Sequence, residues 1–186
     1  CTGLKQVLLG DGLKAIGRGC FSQSGLEEIV IPRNVALIGC RAFEKCERLR
    51  RVSFAGNALE TIEERAFFES GLESFVAPAS LRRIGDVAFK NCVNLRHADL
   101  SACALQTDLT HKKDSWFKCL FENSGLESVA LSPALRVVHE RMFVGCERLA
   151  SVSFGDDSQL CEIQAQAFKG CGLRSFVAPP VLQKIG

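Results

Sequence analysis

The chain has 186 residues, and its 23 lysine and arginine side chains against 21 aspartate and glutamate side chains leave a net charge of +2. That balance argues against a nucleic-acid partner and against a basic membrane-binding surface. No apolar run approaches the roughly 18 residues that a membrane span needs, and no charged-then-apolar leader opens the chain. Because the first residue is Cys1 rather than methionine, we expect the sequence to be a piece of a longer protein.

Residue types that form catalytic or metal sites do not cluster in the sequence. Ten cysteines are many, yet none forms a CxxC pair, and the three histidines are scattered at His97, His111 and His139. This spacing does not fit a zinc site. No nucleophile elbow or phosphate-binding loop occurs either. We therefore expect no enzymatic activity, no catalytic or metal-binding residue and no cofactor.

A repeat of about 23 residues runs through the whole chain. Each unit begins with a leucine, at Leu4, Leu26, Leu49, Leu72, Leu95, Leu126, Leu149 and Leu173. A unit this short cannot bury its own apolar face, so neighbouring units must stack and share one core. The stacked units, numbered turn 1 to turn 8 from these leucines, predict a solenoid.

The pattern within a unit predicts its strands. The first six residues alternate in the period of a β-strand, and strands one repeat apart must run parallel. The later IGxxAF segment is too short for a long helix, so it predicts one helical turn or a short second strand. Phenylalanine recurs at Phe21, Phe43, Phe67, Phe89, Phe121, Phe143 and Phe168. Because these phenylalanines occupy the same position in successive units, they predict a stacked core spine. A nucleic-acid platform would instead need exposed rings and basic neighbours.

Two kinds of unit alternate along the chain. Units that follow SGL or CGL tend to carry proline in the turn after the strand, and they begin at Leu26, Leu72, Leu126 and Leu173. The intervening units follow CTGL, CERL or CVNL. The pair of about 46 residues is therefore the larger repeat.

These residues resemble a known family. LRRVSFAGNALETI (49–62) fits the leucine-rich-repeat signature, and LRHADLSACAL (95–105) repeats it with Cys103 at the asparagine position. LEEIVIPRNVALIGCRAFEKC (26–46) is similar to the BspA-type subclass. The resemblance implies an α/β, right-handed horseshoe over residues 1–186, with about seven full repeats and a partial one. It implies a parallel sheet on the concave face, with short 3₁₀ or helical turns or short strands on the convex face.

The strand pattern also predicts a binding surface. Positions two and four after each leading leucine should point outward on the concave side. The partner-binding candidates there are Glu28, Arg51, Val76, His97 and Asp99. Position one alternates in charge from unit to unit, as in Arg50, Glu73, Arg96 and Glu127, which predicts a cross-strand ladder that sets register. A charged docking stripe is the alternative interpretation.

The unit from Leu95 carries an insertion, 105–121, with three further candidates: Lys112, Lys113 and Trp116, the only tryptophan. Basic and aromatic residues together are typical of a protein-interface anchor. The competing hypothesis, which we favour, is that Trp116 and Phe117 fold back to cover the core. His139 is expected to be a solvated edge residue.

Cysteines and serines interchange just before the strands, at Cys46, Cys92 and Cys146 and at Ser24, Ser70 and Ser124. Because either residue serves, the position requires a small, weakly polar side chain rather than thiol chemistry. Buried free thiols are the prediction. Disulfides Cys40–Cys46 and Cys161–Cys171 are the alternatives.

The leading hypothesis is a non-catalytic module that binds a protein or peptide, with no nucleic-acid partner and no membrane insertion in this segment. The family resemblance implies an adhesin-like protein at the cell surface or secreted. One alternative is a structural scaffold that self-associates end to end. Another is a regulatory interaction domain of a larger intracellular protein.

Overall fold

Most turns of the chain form two parallel β-strands, a longer one and a two-residue one. A computed structural model describes residues 2–105 and 117–186. The longer strands are β2 (Glu28–Ile31), β4 (Arg51–Phe54), β6 (Ser74–Val76), β8 (His97–Asp99), β9 (Ser128–Ala130) and β11 (Ser151–Ser153). The two-residue strands are β1 (Ala15–Ile16), β3 (Leu37–Ile38), β5 (Thr61–Ile62), β7 (Arg83–Ile84), β10 (Val137–Val138), β12 (Glu162–Ile163) and β13 (Lys184–Ile185).

The longer strands form the predicted parallel sheet. Their order is β2-β4 and β6-β8-β9-β11, and every pairing joins equivalent residues of neighbouring turns. In β2, Ile29 and Ile31 are buried while Glu28 and Val30 are exposed, as the period of two requires. The apolar side of each strand therefore faces a core shared by successive turns.

The two-residue strands form a second parallel ladder, ordered β1-β3-β5-β7 and β10-β12-β13. This confirms the prediction of short strands in the IG region. The described residues contain no helix, so the α/β class and a helical convex face are not confirmed.

The segment after each short strand is a third ladder, made of turns. Arg41 and Lys45 have φ of 58° and 56°, in the left-handed region. A left-handed residue every fourth position prevents the consecutive right-handed residues that a helix needs. The amides of Arg41, Phe43 and Lys45 instead donate to carbonyl groups of turn 3, at 3.0, 2.7 and 2.8 Å. Equivalent bonds recur between later turns.

The predicted phenylalanine spine is confirmed. The seven rings stack on one another, with centroids 5.2–5.7 Å apart and planes within 17° of parallel. Stacked rings of this kind add attraction beyond the area they bury. The spine therefore ties each turn to the turns on both sides of it.

The predicted inner corner of small polar side chains is also present. The Cys46 thiol donates to the Phe21 carbonyl at 2.9 Å and lies 3.3 Å from the Ser24 hydroxyl. Ser70 with Cys92 and Ser124 with Cys146 repeat the arrangement at 3.4 Å. All the described cysteines are free thiols, so neither a Cys40–Cys46 nor a Cys161–Cys171 disulfide is present.

Ion pairs form a second kind of side-chain contact between turns. Arg50 pairs with Glu73 at 2.6 Å and Arg96 with Glu127 at 2.8 Å, so part of the predicted charge ladder is present. These ion pairs join turns 3 and 4 and turns 5 and 6, and the serine–cysteine pairs join the same two interfaces and that between turns 1 and 2. Each exposed ion pair should contribute less than about 1 kcal/mol.

The glycines of the SGL and CGL motifs lie at the interfaces in between, as Gly71 does between turns 2 and 3. The Gly71 amide donates to the Cys46 carbonyl at 3.0 Å, and a Cβ on Gly71 would overlap the Glu47 carbonyl oxygen. Only glycine permits this close approach of two backbones. The two-turn period of the sequence therefore corresponds to two kinds of contact that alternate between successive turns.

We expect Cys92→Ala to lower the free energy of unfolding by about 1–2 kcal/mol, because it removes a buried thiol and its bond to the Phe67 carbonyl at 3.0 Å. The exposed Cys20 provides the control, and Cys20→Ala should have no measurable effect. Urea unfolding followed by circular dichroism measures both. Equal effects of the two substitutions would contradict the structural role of the corner.

Candidate partner-binding surface

The outward side chains of the longer strands form one surface, called here the outer strand face. All five strand candidates lie on it and are exposed: Glu28, Arg51, Val76, His97 and Asp99. Alternation alone placed them correctly, because each stands at position two or four of its strand. The structure therefore brings them to one side of the longer strands.

Two groups of these residues can be distinguished. Glu28 and Arg51 are register partners on β2 and β4. Val76 and Asp99 are register partners on β6 and β8, and His97 stands two residues before Asp99. The Glu73 amide donates to the Arg50 carbonyl at 3.1 Å, which connects the two parts of the face.

The His97 and Asp99 side chains are held by neighbouring serines. His97 Nδ1 lies 2.8 Å from the Ser128 hydroxyl on β9. Asp99 Oδ1 accepts bonds from the Ser101 amide at 2.9 Å and from its hydroxyl at 2.6 Å. These contacts orient two ionisable groups toward solvent without pairing them with each other.

Apolar side chains on the same face were not among the candidates. Val30 is 56% exposed, and Leu8 is fully exposed beside it. Together with Gln6 and Glu28 they line a shallow groove of about 430 Å³. The signal was present in the sequence, since Leu8 and Val30 both stand at position four of their turns.

Turns 6 and 7 present a different surface. Their outward residues are Ser128, Ala130, Ser151 and Ser153, all small. Small side chains leave the strand backbone open to close approach. The outer strand face therefore combines a charged and apolar part on turns 1–5 with a flat, serine-rich part.

Three insertion candidates, Lys112, Lys113 and Trp116, lie outside the described residues. Phe117 is described and is fully buried, as the core-covering hypothesis predicted for it. Its ring stacks on His139, with centroids 5.7 Å apart. The prediction of a solvated His139 is wrong, because this ring packs against Phe117 and its Nε2 is buried.

Burial first, and the nearby Lys118 ammonium second, lower the pKa of His139 to about 4, while Glu162 acts in the opposite direction. The ring is therefore neutral at pH 7. The burial of His139 could not be predicted from its own repeat, because the residue that covers it is Phe117 of the preceding turn, which follows an insertion.

Sequence reasoning also missed Glu122, a buried carboxylate. Its Oε1 accepts from Lys90 Nζ and from Arg141 Nη2, each at 3.1 Å, so it joins turns 4, 5 and 6. Burial raises the pKa of Glu122, but the Cys119 thiol, Lys90 and Arg141 outweigh it, and the net direction is downward. Glu122 Oε2 makes no hydrogen bond of good geometry, so the interaction of the carboxylate with the Cys119 thiol is weak. The cluster is a structural bridge.

The described residues carry no other recognisable chemistry. Among residues 2–105 and 117–186, no three histidine, cysteine, aspartate or glutamate side chains are grouped as metal ligands. Within the same ranges no helix has the length and apolarity to cross a membrane. The outer strand face is thus the best-defined candidate surface.

Comparison with known proteins identifies the repeat. The sequence profile of the BspA-type leucine-rich-repeat region matches residues 1–96 and 101–186, in six copies. The chain belongs to the BspA-type leucine-rich-repeat family. No curated protein matches it at significant similarity.

Several solved structures share the BspA-type fold. A leucine-rich-repeat protein of Bacteroides ovatus is 24% identical with a TM-score of 0.54, over 100% of this chain and 57% of that chain. The leucine-rich-repeat protein of T. pallidum is 24% identical with a TM-score of 0.66, over 83% and 71%. Pneumococcal vaccine antigen PcpA is 22% identical with a TM-score of 0.55, over 94% and 50%. The chain thus spans 57% and 50% of the length of the first and third of these chains.

We expect Glu122→Gln to destabilise this BspA-type solenoid by about 2 kcal/mol, because it leaves Lys90 and Arg141 facing a neutral amide. Glu127→Gln is the matched control, since Glu127 makes one exposed ion pair and should cost less than about 1 kcal/mol. Thermal and urea unfolding of both variants measure the difference. A loss for Glu122→Gln no larger than the control would show that the buried bridge has no special role.

Proposed function

We propose that this protein is a non-catalytic binding module that holds a protein or peptide against its outer strand face. The observation that carries the proposal is the composition of that face on turns 1–5. Exposed Leu8, Val30 and Val76 alternate there with ionisable side chains. Apolar contact area with a few orienting charges is the usual make-up of a protein interface.

The repeat architecture supports the same proposal. Solenoids of leucine-rich repeats offer a broad surface built from outward strand residues, while the buried positions are fixed by packing. Positions two and four can therefore differ from turn to turn without disturbing the core. In this chain they do differ, from Glu28 and Arg51 to His97 and Asp99.

Charge on the face favours a partner of mixed character. Arg50 and Arg96, at position one, are neutralised by Glu73 and Glu127. Glu28 and Arg51 make no ion pair with another described residue. A partner that brings its own apolar side chain to Val30 and opposite charges to Glu28 and Arg51 fits this arrangement.

The finer proposal is an adhesin-like role at the cell surface or in secreted form. It draws on family membership and on the likeness to the pneumococcal vaccine antigen PcpA. The partner would then be an extracellular protein. The insertion residues Lys112, Lys113 and Trp116 are proposed as a second contact.

A matched pair of valines tests the proposal. Val76 on the outer strand face and Val93 at a corner between strand and turn ladder are 62% and 63% exposed. We expect the wild-type chain to bind at least one member of a panel of purified extracellular-matrix and serum proteins in biolayer interferometry. Val76→Asp should weaken that binding at least tenfold, and Val93→Asp should leave it unchanged.

Three outcomes would contradict the proposal. Equal losses for the two valine variants would place the contact away from the outer strand face. Binding only to cytosolic proteins, added as a second panel, would reject the adhesin-like role and favour an intracellular interaction domain. No binding, together with a mass that rises with concentration in light scattering, would favour a scaffold that self-associates.

A further inference from the structure

The first residue after each short strand occupies a crowded place in the stack. The amides of Gly85 and Phe117 at this place donate to Ile62 and Ile84 of the preceding turn, at 2.7 and 3.3 Å. A Cβ on Gly85 would overlap the Glu64 backbone. In turns 5 and 6, Phe117 and His139 stand at the position equivalent to Gly85, four residues before the phenylalanine of the spine.

The Phe117 and His139 rings fit at this position by stacking on each other across turns 5 and 6. Their ring centroids lie 5.7 Å apart, with planes 22° from parallel. Phe117 is fully buried, and its φ of 69° is unusual for a residue with a Cβ. Such a conformation persists only while surrounding packing holds it. The left-handed backbone of Phe117 therefore depends on the packing around its ring.

The buried Nε2 of His139 has no neighbouring hydrogen-bond acceptor that would stabilise a protonated ring. The charged groups that face it are Lys118, on the turn beside Phe117, and Glu162 on β12, and Glu140 follows it in sequence. Lys118 opposes a positive ring, and burial opposes it more. A charged imidazole in this place would have a buried Nε2–H group with no hydrogen-bond acceptor.

We propose that the Phe117–His139 stack is an acid-labile latch: protonation of His139 separates its ring from Phe117 and opens turns 5 and 6 locally. The proton is most stable when the imidazolium ring swings out to water. Once the ring leaves, Phe117 loses its stacking partner and its left-handed backbone relaxes. The Phe spine and the serine–cysteine pairs of the other turns contain no group that titrates between pH 4 and 7.

The direction of the pH dependence follows from the neutral ring in the closed latch. The pKa of His139 is about 4 when closed, against 6.5 for a free imidazole. The closed latch is fully favoured above pH 6.5 and loses stability as the pH falls toward 4. Between pH 7 and pH 4.5 the opening equilibrium should rise by more than tenfold.

Hydrogen exchange read by mass spectrometry tests the latch. Exchange is measured at pH 7.0 and pH 4.5 and corrected for the intrinsic rate at each pH. We expect protection of 117–122 to fall at least tenfold at pH 4.5, while the equivalent segment 39–44 of turn 2 keeps its protection. His97→Gln, which removes an exposed histidine, should behave like the wild type.

Two variants decide the outcome. His139→Phe keeps an aromatic stack without a titratable group, and His139→Leu removes the titratable group with a smaller, non-aromatic apolar side chain in case the phenylalanine variant does not fold. Either folded variant should keep the same protection of 117–122 at both pH values. An equal loss in a folded variant, no loss in the wild type, or a loss spread evenly over 39–44 and 117–122 would each overturn the proposal.

Discussion

A single repeat of this chain cannot bury its own apolar face, and every other feature depends on that constraint. The stacked phenylalanines are its clearest expression, because each ring between Phe43 and Phe143 stacks on the equivalent rings of the turns before and after it. Three backbone ladders run the same way, through the longer strands, the short strands and the left-handed turns. Stability is thus a property of neighbouring pairs of turns rather than of any one turn.

Because the core positions are fixed by stacking, variation is confined to what points outward. The chain uses this freedom in two ways. At every second interface between turns it places thiol pairs and ion pairs, and at the interfaces in between a close glycine contact, which gives the two-turn period. On the outer strand face it varies size, charge and hydrophobicity, as in Val76, His97 and Asp99, and it is this variation that gives a solenoid a choice of partner.

Most of the features that repeat could be predicted from the sequence, with the left-handed turns as the exception. The phenylalanine spine, the parallel strands, the serine–cysteine corner and the exposure of Glu28 and Arg51 all follow from residues at one phase of the repeat. The left-handed turns at Arg41 and Lys45 were missed because such a φ has no residue signature except glycine.

His139 and Glu122 show a different limit of sequence reasoning. His139 is buried only because Phe117 from the previous turn stacks on it, and Glu122 is buried only because cations of turns 4 and 6 reach it. A repeat pattern states which residues share a phase. It does not state which side chain of a neighbouring turn will cover an exception to the pattern.

The central claim is that each turn is stabilised through its two neighbours. Equilibrium unfolding of Phe89→Ala and Phe21→Ala tests it most directly, since Phe89 stacks on both Phe67 and Phe121, whereas Phe21 is half-buried and stacks on Phe43 alone. The account predicts a loss of about 4 kcal/mol for Phe89→Ala and less than about 2 kcal/mol for Phe21→Ala. Equal losses would contradict it, because they would mean that a turn is held by its own contacts.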